Sequence, residues 1–139
     1  MLASLALYVI TVMLRLSVAQ RPAPPSGKYS KVVFPPTDCI QVDFLPGEAP
    51  DVSLFIDCGG HTETSPDLSV VERGKFHYEV APDSIPAYND YILTVGAQCP
   101  YDVQDGDLKT FDYDYKVKTV TVKFEGNPAT LDEGDCPGR

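Results

Sequence analysis

Two short stretches carry residue types that could hold a metal ion. Cys58-Gly59-Gly60-His61 offers a thiol and an imidazole close together. Zinc takes deprotonated thiols within a full tetrahedral ligand set. The chain has one other histidine, His77, and the cysteines of an exported chain are oxidised. A disulfide cysteine beside a glycine turn is the simpler reading. Asp102, Asp105 and Asp107, with Asp112 and Asp114 close behind, form a carboxylate cluster and are the calcium candidates. Calcium prefers several hard oxygen ligands. The EF-hand spacing is absent, because position 104 is Gln and no Glu closes the loop. A solvated acidic loop is the simpler account of the cluster, and no metal or cofactor is expected.

Acid–base or nucleophilic chemistry has little to start from. His77 and Glu79 share the outer face of one strand, where a charged cross-strand face is the usual case. Ser65, Ser69 and Ser84 have no nucleophile-elbow context. Nothing assembles into a catalytic constellation, so a non-enzymatic role is expected. The aromatic row Phe111, Tyr113 and Tyr115 is the more open feature. Tyrosine faces stack on sugars and are enriched at binding surfaces. The candidate contact residues are Tyr113 and Tyr115, joined by Tyr101 and Tyr88; the competing account is an amphipathic strand that packs its rings into a core.

Elements to position these residues follow from the alternation of side chains. Ile40, Val42 and Phe44 share one face of a strand, as do Val52, Leu54 and Ile56, and then Phe76, Tyr78 and Val80. Lys31 to Phe34 reads as a first strand, stopped by Pro35-Pro36. Arg73-Gly74 marks a hairpin. Pro82 to Asn89 reads as a loop, followed by an inward strand row of Tyr91, Leu93, Val95 and Ala97. From Phe111 to Phe124 the apolar positions switch from odd to even. That switch predicts a bulge or change of sheet near Lys118-Thr119. No segment reads as helical. Roughly seven or eight short strands predict an all-β, two-sheet immunoglobulin/fibronectin-like sandwich, stabilised by disulfides.

Leu2 to Leu14 is a nearly unbroken apolar run, and Ser17-Val18-Ala19 supplies the small residues of a signal-peptidase site. Residues 1–19 are therefore expected to be a signal peptide and 20–28 a Pro-rich extended leader. The domain is expected at 29–126, with a C-terminal tail at 127–139. The run is too short to span a bilayer, and no second one follows. Lys and Arg number 11 against 20 Asp and Glu, a formal charge of −9. So acidic a chain repels phosphate backbones and excludes nucleic acid as a partner.

The segment Val80-Ala81-Pro82-Asp83-Ser84-Ile85-Pro86-Ala87-Tyr88-Asn89-Asp90-Tyr91-Ile92 resembles a fungal phrase in which a proline loop leads into Asp-Tyr. The Ile40 to Phe44 strand and Val52-Ser53-Leu54-Phe55-Ile56 resemble the first two strands of the same family. That family is the N-terminal domain of yeast β-glucan-assembly proteins, shared with Ser/Thr-rich GPI-anchored fungal wall proteins. The likeness covers Pro36 to Ala97; the chain has no Trp, and Phe44 and Tyr78 stand at the family's Trp positions. The resemblance implies an extracellular sandwich with a wall-associated, non-catalytic role.

Four cysteines imply two disulfides, with three possible pairings. If Cys39 opens one strand and Cys58 closes the next antiparallel one, both lie at one end of the sandwich. That proximity predicts Cys39–Cys58, which leaves Cys99–Cys136. The functional expectation is a secreted, cell-wall-associated or effector-like protein that contacts a wall polysaccharide such as β-glucan, or an extracellular protein surface. The alternative is an inhibitor or toxin-like protein acting on an extracellular enzyme through the 82–90 or 101–110 loop.

Overall fold

The computed structural model describes residues 22–46 and 51–139. The apolar run at 2–14, its cleavage site and the Gly47 turn position lie outside them. Nine strands are present: β1 (Gly27–Phe34), β2 (Asp38–Leu45), β3 (Asp51–Cys58), β4 (His61–Thr64), β5 (Leu68–Glu72), β6 (His77–Val80), β7 (Thr110–Asp114), β8 (Thr119–Phe124) and β9 (Asn127–Glu133). A 3₁₀ turn at Pro82–Ser84 leads into one helix, α1 (Ile85–Gln98).

The all-β expectation holds, but the architecture is a closed barrel and not a two-sheet sandwich. Neighbouring strands pair antiparallel, and β9 returns to β1 through Tyr29↔Glu133 and Ser30↔Asp132. β4 and β5 both lie along β3, one on Phe55–Cys58 and the other on Asp51–Val52. They act as one broken strand, which makes eight staves. Period-two alternation cannot separate the two architectures, because each has one apolar and one wet face. The stave that closes the ring, β9, falls in the stretch expected to be a tail. It was hidden because only Leu131 is buried, Ala129 half-buried, and the rest of Asn127–Glu133 is polar or Pro.

The inward rows of β2, β3 and β6 are as the alternation predicts. Ile40, Val42, Phe44, Val52, Leu54, Ile56, Phe76, Tyr78 and Val80 are all buried in one core with Tyr29, Leu68, Phe111, Val120, Val122 and Leu131. Each such side chain contributes about 1.5–3 kcal/mol on burial. The Arg73-Gly74 hairpin is present between β5 and β6. The odd-to-even switch is resolved by a turn, not a bulge. β7 ends at Asp114, β8 starts at Thr119, and Lys118 adopts φ 52°. Because Asp112 pairs with Thr121, odd positions of β7 share a face with even positions of β8.

Residues 82–98 are the largest local correction. The expected loop and strand are a 3₁₀ turn and a helix, with Pro86 in the first turn where its missing N–H costs nothing. Tyr88, Tyr91 and Val95 are buried, a spacing of one helical face, whereas Leu93, assigned to an inward row, is 72% exposed. No helix among the described residues is long and apolar enough to cross a membrane.

The disulfides are Cys39–Cys136 and Cys58–Cys99, not the expected pairs. Cys39 and Cys58 do lie at the same end, since Cys39 is in register with Asp57. They face opposite sides of the wall. Cys58 continues the inward row Val52, Leu54, Ile56, while Cys39 shares the outer face of β2 with Gln41 and Asp43. Cys58 therefore reaches inward to Cys99 after α1. Cys39 takes Cys136 from the segment that crosses the outer face, where Phe55 is buried with both sulfurs. Gln41 Oε1 there accepts the Cys136 N–H at 2.8 Å, and the Arg139 guanidinium stands 3.8 Å from the Phe55 ring centre. The bridges span 41 and 97 residues, worth about 4 and about 5 kcal/mol in the chain-entropy model.

Candidate binding site at the open end of the barrel

The up-and-down order sorts every loop to one of two ends. α1 connects β6 to β7, so it lies at the end where β3 and β8 finish. It is fixed there by Cys58–Cys99, by Tyr88 Oη donating to the Asp107 carbonyl at 2.6 Å, and by Tyr91 Oη donating to the Glu63 carbonyl at 3.4 Å. Burial holds the Tyr88 and Tyr91 phenols well above their usual range.

The calcium candidates belong to this closed end. Asp107 is buried, and its carboxylate accepts the backbone N–H groups of Gln104 (2.9 Å), Glu125 (2.7 Å) and Gly126 (3.0 Å). It pins the 101–108 loop to the β8–β9 turn. Gly126 is at φ +75°, a backbone conformation that side chains with a Cβ rarely adopt, so the turn favours glycine. The Asp102 carboxylate accepts from Gln104 Nε2 at 3.3 Å, and Asp105 is exposed. The three do not converge into a metal-holding group.

Tyr101 Oη donates to Asp38 Oδ2 at 2.5 Å, and Asp38 Oδ1 accepts the Gly59 N–H at 2.8 Å. The Tyr101 hydroxyl and then the Gly59 amide hold the Asp38 carboxyl below its usual range. Burial and the Asp38 carboxylate push the Tyr101 phenol up. Cys58 is oxidised and His61 contacts Glu63 at 2.9 Å, so the expected Cys-Gly-Gly-His grouping is a turn. His77 contacts the Asp112 carboxylate across the β6–β7 pair, and the Glu79 carboxylate faces Arg73 Nε at 3.8 Å.

The opposite end is built differently. β2 and β7 finish here and β3 and β6 begin, so Phe44, Tyr113 and Phe76 meet at one level of the barrel. Tyr29 near the start of β1 completes the group. Phe44 contacts Tyr29, Tyr78 and Phe111 edge-to-face at 5.8–6.3 Å between ring centres. Tyr113 contacts Tyr29 at 6.2 Å and Phe76 at 5.8 Å. Burial, then the neighbouring Tyr113, push the Tyr29 phenol up to about 12. The Pro22–Ser26 segment crosses this end with Pro25 buried. On one side of it lies a cleft of about 810 Å³, floored by Phe44, Val70, Phe76 and Tyr78 and rimmed by Leu45, Asp51, Val71 and Glu72. A second of about 690 Å³ on the other side includes Tyr29, Tyr113, Lys28 and Lys118.

The four tyrosines singled out from sequence are thus divided. Tyr113 and Tyr115 stand at the open end, Tyr115 against Phe76 at 5.5 Å and 39% exposed. Tyr88 and Tyr101 are at the closed end, Tyr88 wholly buried. They share no platform. Sequence reasoning missed the cleft itself. The available signal was positional: Phe44 ends a strand, Phe76 precedes one, and in an up-and-down order these fall at the same end. No protein-family model, curated protein or solved structure matches the chain.

Proposed function

We propose that this is a secreted binding protein without catalytic function, and that it takes a small, largely apolar ligand in the open end of the barrel. The observation that carries this reading is the 810 Å³ cleft with an aromatic floor, in a barrel whose other end is closed by a helix. Eight-stranded barrels are just wide enough to fill with side chains or to hold one small ligand. Barrel mouths are among the preferred places for ligand sites. The two disulfides fit an oxidising compartment. A wall-bound life on β-glucan, implied by the fungal resemblance, is the competing outcome.

The test uses the neutral fluorophore N-phenyl-1-naphthylamine. Saturable one-to-one enhancement is expected, lost in Val71→Trp, which fills the cleft from its half-buried rim without changing the thermal midpoint. Absence of dye binding, with retention of the protein on insoluble β-glucan, would overturn the reading in favour of wall attachment.

A further inference from the structure

Two hairpin tips at the open end carry a charge opposite to that of the chain. The β5–β6 tip is Arg73-Gly74-Lys75-Phe76 and the β7–β8 tip is Tyr115-Lys116-Val117-Lys118. Together they hold four basic residues and no acidic one, in a protein of formal charge −9. β6 pairs with β7, and the Tyr113 N–H donates to the Phe76 carbonyl at 2.9 Å, so the tips lie side by side. Their side chains meet at one ring: the Tyr115 ring centre is 5.5 Å and Lys75 Nζ 5.8 Å from the centre of Phe76. The carboxylates of the flanking strands are engaged. Glu79 faces Arg73, Asp112 contacts His77, Asp114 Oδ1 accepts the Lys116 N–H at 3.0 Å, and Glu72 has an interaction of its own. Lys75, Lys116 and Lys118 are exposed and make no ion pair among the described residues. Apolar surface is left in water between them, with Val117 65% and Tyr115 39% exposed.

This combination matches a bilayer interface. Tyrosine and aliphatic side chains enter at the headgroup level, lysine stems follow them while their ammonium groups stay with the headgroups, and anionic lipid attracts each lysine. The same lipid repels the rest of so acidic a chain, which leaves this end to make the approach. We infer that the two tips form a docking surface for a membrane that carries anionic lipid. Phe76 also floors the larger cleft and Lys118 lines the smaller one, so docking turns the barrel mouth toward the bilayer. The inference goes beyond the ligand reading and stands without it; where both hold, an apolar ligand passes between bilayer and cleft without crossing bulk water.

Flotation of the protein with phosphatidylcholine vesicles, with and without phosphatidylglycerol, tests the assignment. Binding is expected only with phosphatidylglycerol and should be lost at high salt. Lys116→Gln with Lys118→Gln should weaken it about twenty-fold, and Val117→Ser about five-fold. Lys31→Gln with Lys123→Gln removes the same charge from exposed positions away from the tips and should leave binding unchanged. No binding to anionic vesicles, equal binding to neutral ones, or equal weakening by the two double variants would overturn the docking surface. Retention on heparin without vesicle binding would overturn the lipid assignment in favour of an anionic polysaccharide. Binding of N-phenyl-1-naphthylamine is measured without vesicles, so its failure would remove the cleft reading and leave the docking surface standing.

Discussion

The two ends of the barrel are built from the same residue types and put them to opposite uses. At the closed end the tyrosine hydroxyls are committed: Tyr88 to the Asp107 carbonyl, Tyr91 to the Glu63 carbonyl, Tyr101 to Asp38. A buried carboxylate gathers three backbone amides, and a disulfide fastens the helix. At the open end the rings meet edge-to-face around Phe44 and Tyr113, and space remains beside the crossing Pro22–Ser26 segment. Directional bonds fix a geometry, whereas aromatic contacts fill volume and tolerate an occupant. A small domain that must both stay folded and hold a ligand can divide the tasks in this way.

The contrast can be broken most forcefully at the disulfide. Cys58→Ser with Cys99→Ser should cost about 4 kcal/mol in denaturant unfolding, yet leave the dissociation constant of N-phenyl-1-naphthylamine within about two-fold, because distant sites act independently. Parallel loss of both would show that the ends are coupled. Asp107→Ala should come next, at about 3 kcal/mol, since three amides lose their acceptor; Asp107→Asn keeps one acceptor oxygen and should cost less.

Alkaline pH should act mainly on the closed end. Tyr88, Tyr91 and Tyr101 have folded pKa values raised above the unfolded value of about 10. The folded state therefore retains protons that the unfolded state releases. The stability they contribute is whole below about pH 10 and declines as pH rises beyond it. Absorbance of phenolate at alkaline pH should show these groups titrating only as the chain unfolds, and Tyr88→Phe should move that unfolding to higher pH.

Asp38 works in the other sense. Its lowered carboxyl contributes stability that is present above the ordinary carboxylate range and is lost as pH falls through the lowered value. Tyr101→Phe should remove most of that acid-limb dependence, at a smaller cost at neutral pH than Asp107→Asn.

Much of the wall was legible in the sequence. Ile40-Val42-Phe44, Val52-Leu54-Ile56 and Phe76-Tyr78-Val80 are where alternation puts them, because burial of one face enforces period two. The same parity held the answer to the disulfides. Cys58 is in step with Ile56 and Cys39 is out of step with Ile40, so a bridge between them would have to pass through the wall. Proximity along the barrel was a poorer guide than facing direction. The helix was obscured because Tyr91 and Val95 suit an alternating row as well as a helical face. Tyr88, three positions before Tyr91, was the residue that separated the two. The cleft was not legible, because it depends on which strand ends meet, and that required β9 to be recognised.

The ring has one short join. Between β1 and β9 only Tyr29↔Glu133 and Ser30↔Asp132 are in register, helped by the Gly134 N–H to the Lys28 carbonyl at 2.8 Å and Ser30 Oγ to the Gly134 carbonyl at 2.8 Å. These groups lie more than a hundred positions apart, so this seam demands the greatest loop closure of any pairing in the barrel. Cys39–Cys136 reaches over β1 from beyond β9 to β2 and acts as a hasp across it. Without that hasp the first and last staves could part and present two unpaired strand edges to other chains, so an oxidising environment protects this protein from association as well as from unfolding.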